Sequence, residues 1–145
     1  MTLPFARTIC ACAACTRCCK EQPGPLARGD LERIAEHLGE TVAQAEAHFW
    51  ASPGAMVMNT ATGRQFRVGT ITPRCVRGRC VFLDEQDRCR VHPVAPAGCA
   101  YFDTHQSAVE GNRRSVWLVG DQQHPDYQQL RARLPFATSY KPRRF

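Results

Sequence analysis

The cysteines at the start of the chain are the residues best suited to chemistry. Five of the nine cysteines fall between positions 10 and 19, and those from Cys12 to Cys19 form the pattern C-x2-C-x2-C-C. Thiolates two residues apart in a tight turn can face one metal ion or one cluster, because soft donors are then held at a fixed separation. Cys10 stands outside this evenly spaced run, so we expect it to pack as a small apolar side chain.

A second group of cysteines, far downstream, supplies the other half of the predicted site. A zinc knuckle usually pairs two C-x2-C units, but this group has no tight pair. Its members would therefore come singly from separate loops and meet the N-terminal run in space. The expected metal ligands are Cys12, Cys15, Cys18, Cys19, Cys75, Cys80, Cys89 and Cys99, with Cys75 as the eighth.

The spacing also bears on the identity of the metal. An evenly spaced cysteine triple is similar to the run that wraps an iron–sulfur cluster, which favours a [4Fe-4S] cluster. Zn²⁺ held by thiolates is the alternative. Eight cysteines suffice for two four-ligand centres, or for one centre with additional thiols. His92, three residues after Cys89, is either a further ligand or a packed side chain, and we favour packing.

The remainder of the chain is typical of one small domain. Its 145 residues are 43% hydrophobic and 22% charged, as in ordinary globular proteins. It lacks a membrane-spanning apolar stretch and a secretion signal. We therefore expect a cytoplasmic protein, in which cysteines more often bind metals or catalyse reactions than form disulfides. Without a spanning stretch, no membrane partner is expected. The formal charge of +6 falls when ligating thiols ionise, so nucleic acid is not expected as a partner either, and a protein partner is left open.

Short elements must position these cysteines. A helix is predicted over 30–39, where Gly39 provides the left-handed residue that ends a helix. A second helix over 41–50 follows from a capping box formed by Thr41 and Gln44. The remaining predictions are a β-hairpin over 55–72, an edge strand over 116–119 and a helix over 125–134 opened by proline.

The expected fold is therefore a small α+β domain stapled by metal. It would contain two short helices, a small β element and a C-terminal helix. We expect one cysteine-cluster domain over 1–145, with a core over about 10–134 and a basic tail over 135–145.

Several stretches together carry a family resemblance: residues 12–19, 30–39, 80–83 and 89–102. They resemble the YkgJ-like cysteine-cluster family, a zinc- or iron-chelating domain with a CxxCxxCC signature. The resemblance covers roughly residues 10–102 and implies that the clustered cysteines bind a metal. A related cysteine segment occurs in flagellin lysine N-methylases, which are associated with an iron–sulfur cluster.

Two classes of function follow. The first is a metal- or cluster-binding protein with a structural, carrier or electron-transfer role. The alternative is an enzyme or enzyme subunit that uses the centre for redox or methylase-like group-transfer chemistry. No nucleophile elbow, Walker loop or dinucleotide-binding motif is present, so no catalytic residue is assigned apart from the metal site. An open coordination position would favour the enzyme, whereas four protein ligands would favour the first class.

Overall fold

The computed structural model describes residues 4–8, 10–21, 23–59 and 61–137. The predicted α+β class is confirmed. None of the helices described is both long enough and apolar enough to cross a membrane. The elements are α1 (Cys18–Glu21), α2 (Asp30–Leu38), α3 (Val42–Glu46), β1 (Phe49–Met58), β2 (Gln65–Pro73), β3 (Cys75–Val76), β4 (Arg79–Cys80), a 3-10 helix (His92–Val94), α4 (Ala97–Ala100), α5 (Ala108–Gln122) and α6 (Pro125–Arg133).

The two helices α2 and α3 form where their capping residues predict. Gly39 follows α2 in the left-handed conformation, with φ of 68°. The Thr41 hydroxyl accepts a hydrogen bond from the Gln44 backbone N–H, and the Gln44 side chain accepts one from the Thr41 N–H. This reciprocal cap fixes the start of α3. The predicted end of this helix at residue 50 is wrong, because α3 stops at Glu46.

The chain beyond α3 enters the sheet instead. The predicted hairpin is confirmed as the antiparallel pair β1–β2, but β1 begins at Phe49, earlier than expected. The Trp50 indole N–H donates to the Thr72 hydroxyl across the pair, at 3.0 Å. The register shifts between Ser52 and Ala55, a bulge that lets the strand pass through a proline and a glycine. Cross-strand bonding therefore outweighs the local preference for a helix.

The prediction of an edge strand over 116–119 is wrong, because these residues lie in helix α5. The Ser107 hydroxyl caps this helix by accepting from the Glu110 N–H. Glu110 then pairs with Arg113 and Arg114, three and four residues on, an arrangement that supports a helix. The apolar residues over 116–119 thus lie in a helix and not in a strand. In contrast, the prediction of a helix opened by Pro125 is confirmed by α6.

Two apolar clusters hold these elements together. The larger one joins α2, the β1–β2 pair, α6 and the downstream cysteine loops. Its buried members include Leu31, Ile34, Phe49, Ile71, Phe82, Val91 and Tyr127, as well as Cys80, and Cys19 and Cys89 pack against it. The smaller one joins α4 and α5 through Ala97, Ala100, Tyr101 and Leu118, with Phe5 and Trp117 packed against it.

The end of the described chain returns to the sheet. Ala51 donates its N–H to the carbonyl of Pro135 and accepts from the N–H of Ala137, both at 2.8 Å. The first residues of the predicted basic tail are thus paired with β1. Residues 138–145, the rest of that tail, lie outside the described residues.

Candidate metal centre

The segment that leads into the cysteine run is anchored by an aromatic side chain. Phe5 packs edge-on against Tyr101 and Trp117, with ring centroids 5.5 and 5.7 Å away. The Thr8 backbone N–H donates to the Ala100 carbonyl at 2.6 Å. These contacts attach residues 4–8 to α4 and α5. These contacts therefore fix the position of the chain just before Cys10.

Four side chains converge at the start of that loop. The Sγ atoms of Cys10, Cys12 and Cys15 and a ring nitrogen of His105 all lie within 4.8 Å of one another. The Cys12 Sγ and the His105 Nε2 are 3.6 Å apart. We call this group the N-terminal centre. Tetrahedral zinc with Zn–S of about 2.3 Å and Zn–N of about 2.0 Å implies separations of about 3.5 to 3.8 Å between its ligand atoms. The donor set therefore fits one zinc-sized ion after small adjustments.

The loop after α4 orients this centre. The Asp103 carboxylate accepts from the Thr8 hydroxyl at 2.6 Å and from the His105 backbone N–H at 2.7 Å. It also accepts from the Cys15 thiol at 3.5 Å. The Thr104 hydroxyl lies 3.1 Å from the Cys15 Sγ. Asp103 thus connects the N-terminal segment, one thiol and the histidine, as carboxylates beside metal ligands commonly do.

Local hydrogen bonds and desolvation give the thiols of Cys12 and Cys15 different pKa values. The Cys15 backbone N–H and then the His105 side chain lower the pKa of Cys12 to about 6. The Thr104 hydroxyl lowers the pKa of Cys15, but desolvation and hydrogen bonds shared with Cys10 and Cys12 outweigh it and raise that pKa to about 11. The contact with Cys12 also raises the pKa of His105. At neutral pH the centre therefore presents Cys12 as a thiolate, the form that binds metals.

A second group of thiols lines a partly enclosed cavity of about 50 Å³ beside this centre. Its cysteines come from the N-terminal run and from three downstream segments, and His92 also lines it. We call it the thiol cavity. Its cysteines are Cys10, Cys15, Cys19, Cys80, Cys89 and Cys99.

Different elements deliver the thiols of this cavity. Cys19 lies in α1, whose Lys20 forms an ion pair with Asp87 at 2.9 Å and so links the N-terminal run to a downstream loop. Cys80 ends β4, and Cys89 forms an isolated bridge with Leu83.

Cys99 is held by a close backbone contact. Its Sγ accepts a hydrogen bond from the Gly24 N–H at 3.1 Å. A Cβ atom on Gly24 would lie 2.2 Å from the carbonyl carbon of Gly98. Only a residue without a side chain permits this approach. The segment that follows α1 therefore places the Gly24 N–H as a hydrogen-bond donor to the Cys99 sulfur.

The predicted ligands are thus distributed over two places. Cys12 and Cys15 lie at the N-terminal centre, and Cys15 also lines the thiol cavity. Cys75 is paired with Cys80 between β3 and β4 and is not among the described residues that line the cavity. The side chain of Cys18 is outside the described part of the structure. The predicted ligands that line the thiol cavity are Cys15, Cys19, Cys80, Cys89 and Cys99.

Two residues of the N-terminal centre were missed by the spacing argument. Cys10 is half-buried, and its Sγ lies within 4.8 Å of the other three donor atoms. His105 has no spaced histidine or cysteine near it in the sequence, so no motif identifies it. The sequence signal that could have pointed to His105 is the pair of polar residues directly before it, Asp103 and Thr104.

Comparison with known proteins supports metal binding by this chain. The model of the CxxCxxCC family, described as "Putative zinc- or iron-chelating domain", matches residues 11–124. The match spans most of the chain and includes His105 but begins just after Cys10. No curated protein and no solved structure matches the chain significantly.

Proposed function

The chain belongs to the CxxCxxCC family of zinc- or iron-chelating domains, and on this basis we propose that it holds one zinc ion at the N-terminal centre. The observation that carries this proposal is the convergence of four donor atoms within 4.8 Å. Three cysteines and one histidine form a ligand set typical of zinc. The thiolates of a four-iron cluster bind different iron atoms and must lie further apart than ligands of a single ion.

The number of protein donors favours a non-catalytic role for this centre. Four protein ligands fill a tetrahedral site and leave no position for a substrate or an activated water. Cys12 and His105 are nevertheless exposed to solvent, so competing ligands can reach them. This exposure favours a carrier role, in which the ion is taken up and released at the surface.

We further propose the thiol cavity as a second metal centre, with Cys19, Cys80, Cys89 and Cys99 as its ligands. These thiols come singly from separate parts of the chain, and all of them line one cavity. The Gly24 N–H that donates to the Cys99 Sγ is the kind of contact that stabilises sulfur ligands of iron–sulfur clusters. An iron–sulfur cluster is therefore the proposed occupant, with zinc as the alternative.

Metal analysis of matched variants tests both assignments. The full chain is purified without oxygen, and its zinc, iron and visible absorption are measured for wild type, His105→Ala and Cys99→Ser. We expect His105→Ala to lose zinc while keeping iron and colour, and Cys99→Ser to do the reverse. His37→Ala is the control, because His37 is exposed on α2 and contacts the Arg90 carbonyl. Unchanged zinc in His105→Ala would refute the N-terminal assignment; colourless, iron-free wild type would refute the cluster.

A further inference from the structure

Cys75 and Cys80 face each other across the tight hairpin formed by β3 and β4. Strands β3 and β4 are joined by Arg77 and Gly78, whose φ angles are 54° and 74°. Positive φ at both central residues defines the type I′ turn, which aligns two strands closely. Gly78 tolerates this conformation without strain. The turn therefore fixes the register of the two cysteines.

The pairing places these cysteines at a position suited to a covalent bond. They are direct partners across the antiparallel pair. In the next pair outward, the Val81 N–H donates to the Arg74 carbonyl at 3.0 Å, so Cys75 and Cys80 form a non-hydrogen-bonded pair. Such pairs have Cα atoms about 4.5 Å apart, which lies within the range of about 4.4 to 6.8 Å seen in disulfides.

We propose that Cys75 and Cys80 are a redox modification site, which closes reversibly into a cross-strand disulfide by exchange with a low-molecular-weight disulfide such as oxidised glutathione. This assignment gives Cys75 a role that the metal sites leave open. It also explains why a cysteine lies opposite a cavity thiol while not lining the cavity itself.

Burial sets the order of the exchange. Cys80 is only 5% exposed, whereas Cys75 is partly exposed. The Cys75 thiolate therefore attacks one sulfur of the small disulfide, whose S–S bond breaks and releases one thiolate. The neighbouring Cys80 thiolate then attacks the Cys75 sulfur and displaces the second small thiolate. The two cysteines lose two electrons, which reduce the small disulfide to two thiols, and their two protons pass to those thiols.

The disulfide would regulate the second metal centre, a consequence that rests on the proposed function of the thiol cavity. Cys80 lines that cavity, and a sulfur in a disulfide is no longer a thiolate ligand. Metal binding and disulfide formation therefore compete for the same sulfur. Oxidation is expected to lower the metal content of the cavity, and bound metal is expected to slow oxidation.

A disulfide map tests the modification by itself. Trypsin cleaves after Arg77 and Arg79, so Cys75 and Cys80 fall on different peptides. Metal-free full chain is treated with oxidised glutathione, remaining thiols are alkylated, and the peptides are identified by mass spectrometry. We expect residues 75–77 joined to residues 80–88, a product lost in Cys75→Ser and kept in the control Cys99→Ser. Cys75 left as a stable mixed disulfide, or joined to another cysteine, would overturn the proposal.

A second measurement separates this inference from the proposed function. The same oxidation is followed in wild type and Cys75→Ser, both carrying His105→Ala so that zinc, the alternative occupant of the cavity, is bound there alone, with released zinc recorded by a colorimetric chelator. We expect loading to slow the linkage in wild type, and Cys75→Ser to retain zinc that wild type releases. Equal linkage rates with and without zinc would overturn the competition. If the cavity binds neither zinc nor iron and the disulfide still forms, the second metal centre is refuted and the modification site stands.

Discussion

At the scale of single residues, Asp103 is the strongest candidate for a side chain that orients the N-terminal centre. It accepts hydrogen bonds from Thr8, Cys15 and His105. We expect Asp103→Ala to weaken zinc binding by about 10- to 100-fold, as is usual when a group that orients a metal ligand is removed. Competition with a fluorescent chelator measures this. Asp126→Ala, an exposed change on α6, is the control, and equal affinity in both variants would contradict the role of Asp103.

The thiols of this centre should also react at different pH values in the metal-free chain. The pKa of Cys12 lies at about 6 and that of Cys15 at about 11. Because the thiolate is the nucleophile, alkylation of Cys12 should rise with pH and level off above pH 6 to 7, whereas Cys15 should stay slow up to pH 9. His105→Ala should move the Cys12 midpoint to higher pH. Peptide mapping after pulses of iodoacetamide would show it, and identical profiles for the two thiols would be inconsistent with this account.

Sequence spacing identified part of this site and for a physical reason missed the rest. Cys12 and Cys15 are recognisable because thiolates two residues apart face the same side of a turn. His105 reaches them only because Thr8 and Asp103 connect two segments that are distant in the chain. Such a contact depends on tertiary packing, which short-range spacing does not encode.

At the scale of elements, a pair of glycines determines how the segment after α1 approaches α4. A Cβ on Gly24 would lie 2.2 Å from a backbone atom of Gly98. We therefore expect Gly24→Ala to lower the free energy of unfolding by about 1 to 3 kcal/mol, since the backbone must move. Gly120→Ala is the matched control: nothing lies within 4 Å of its Cβ position in α5, so it should stabilise by about 0.5 to 1 kcal/mol. Urea denaturation compares the two, and equal effects would argue against the close contact.

The elements themselves were predictable where local chemistry decides the outcome. Thr41 with Gln44, Gly39 and Pro125 mark helix ends through their own backbone and side-chain preferences. The predicted helix over 41–50 includes Trp50, yet Trp50 lies in β1, where its indole N–H donates to the Thr72 hydroxyl. The strand predicted over 116–119 is wrong because a short apolar run does not distinguish a strand from one face of a helix.

At the scale of the whole molecule, metal removal should affect the cysteine loops more than the sheet. The β1–β2 pair is held by apolar contacts and by the Tyr127 hydroxyl, which accepts from the Ile71 N–H at 2.8 Å. Metal binding is coupled to the folding of the segments that supply ligands. We expect chelation to lower the melting temperature and to increase hydrogen exchange over 10–21, 75–91 and 103–105, while amides of β1 and β2 stay protected. Uniform loss of protection would contradict this division.

The central claim is that one ion is bound by three sulfurs and one nitrogen at the N-terminal centre. X-ray absorption at the zinc edge tests it most directly, in full-length protein with Cys99→Ser introduced so that the cavity does not contribute. The account predicts three sulfur atoms at about 2.3 Å and one nitrogen at about 2.0 Å around the zinc, and loss of the bound zinc in the additional variant His105→Ala. A shell of four sulfurs without nitrogen, or bound zinc that His105→Ala leaves unchanged, would contradict it.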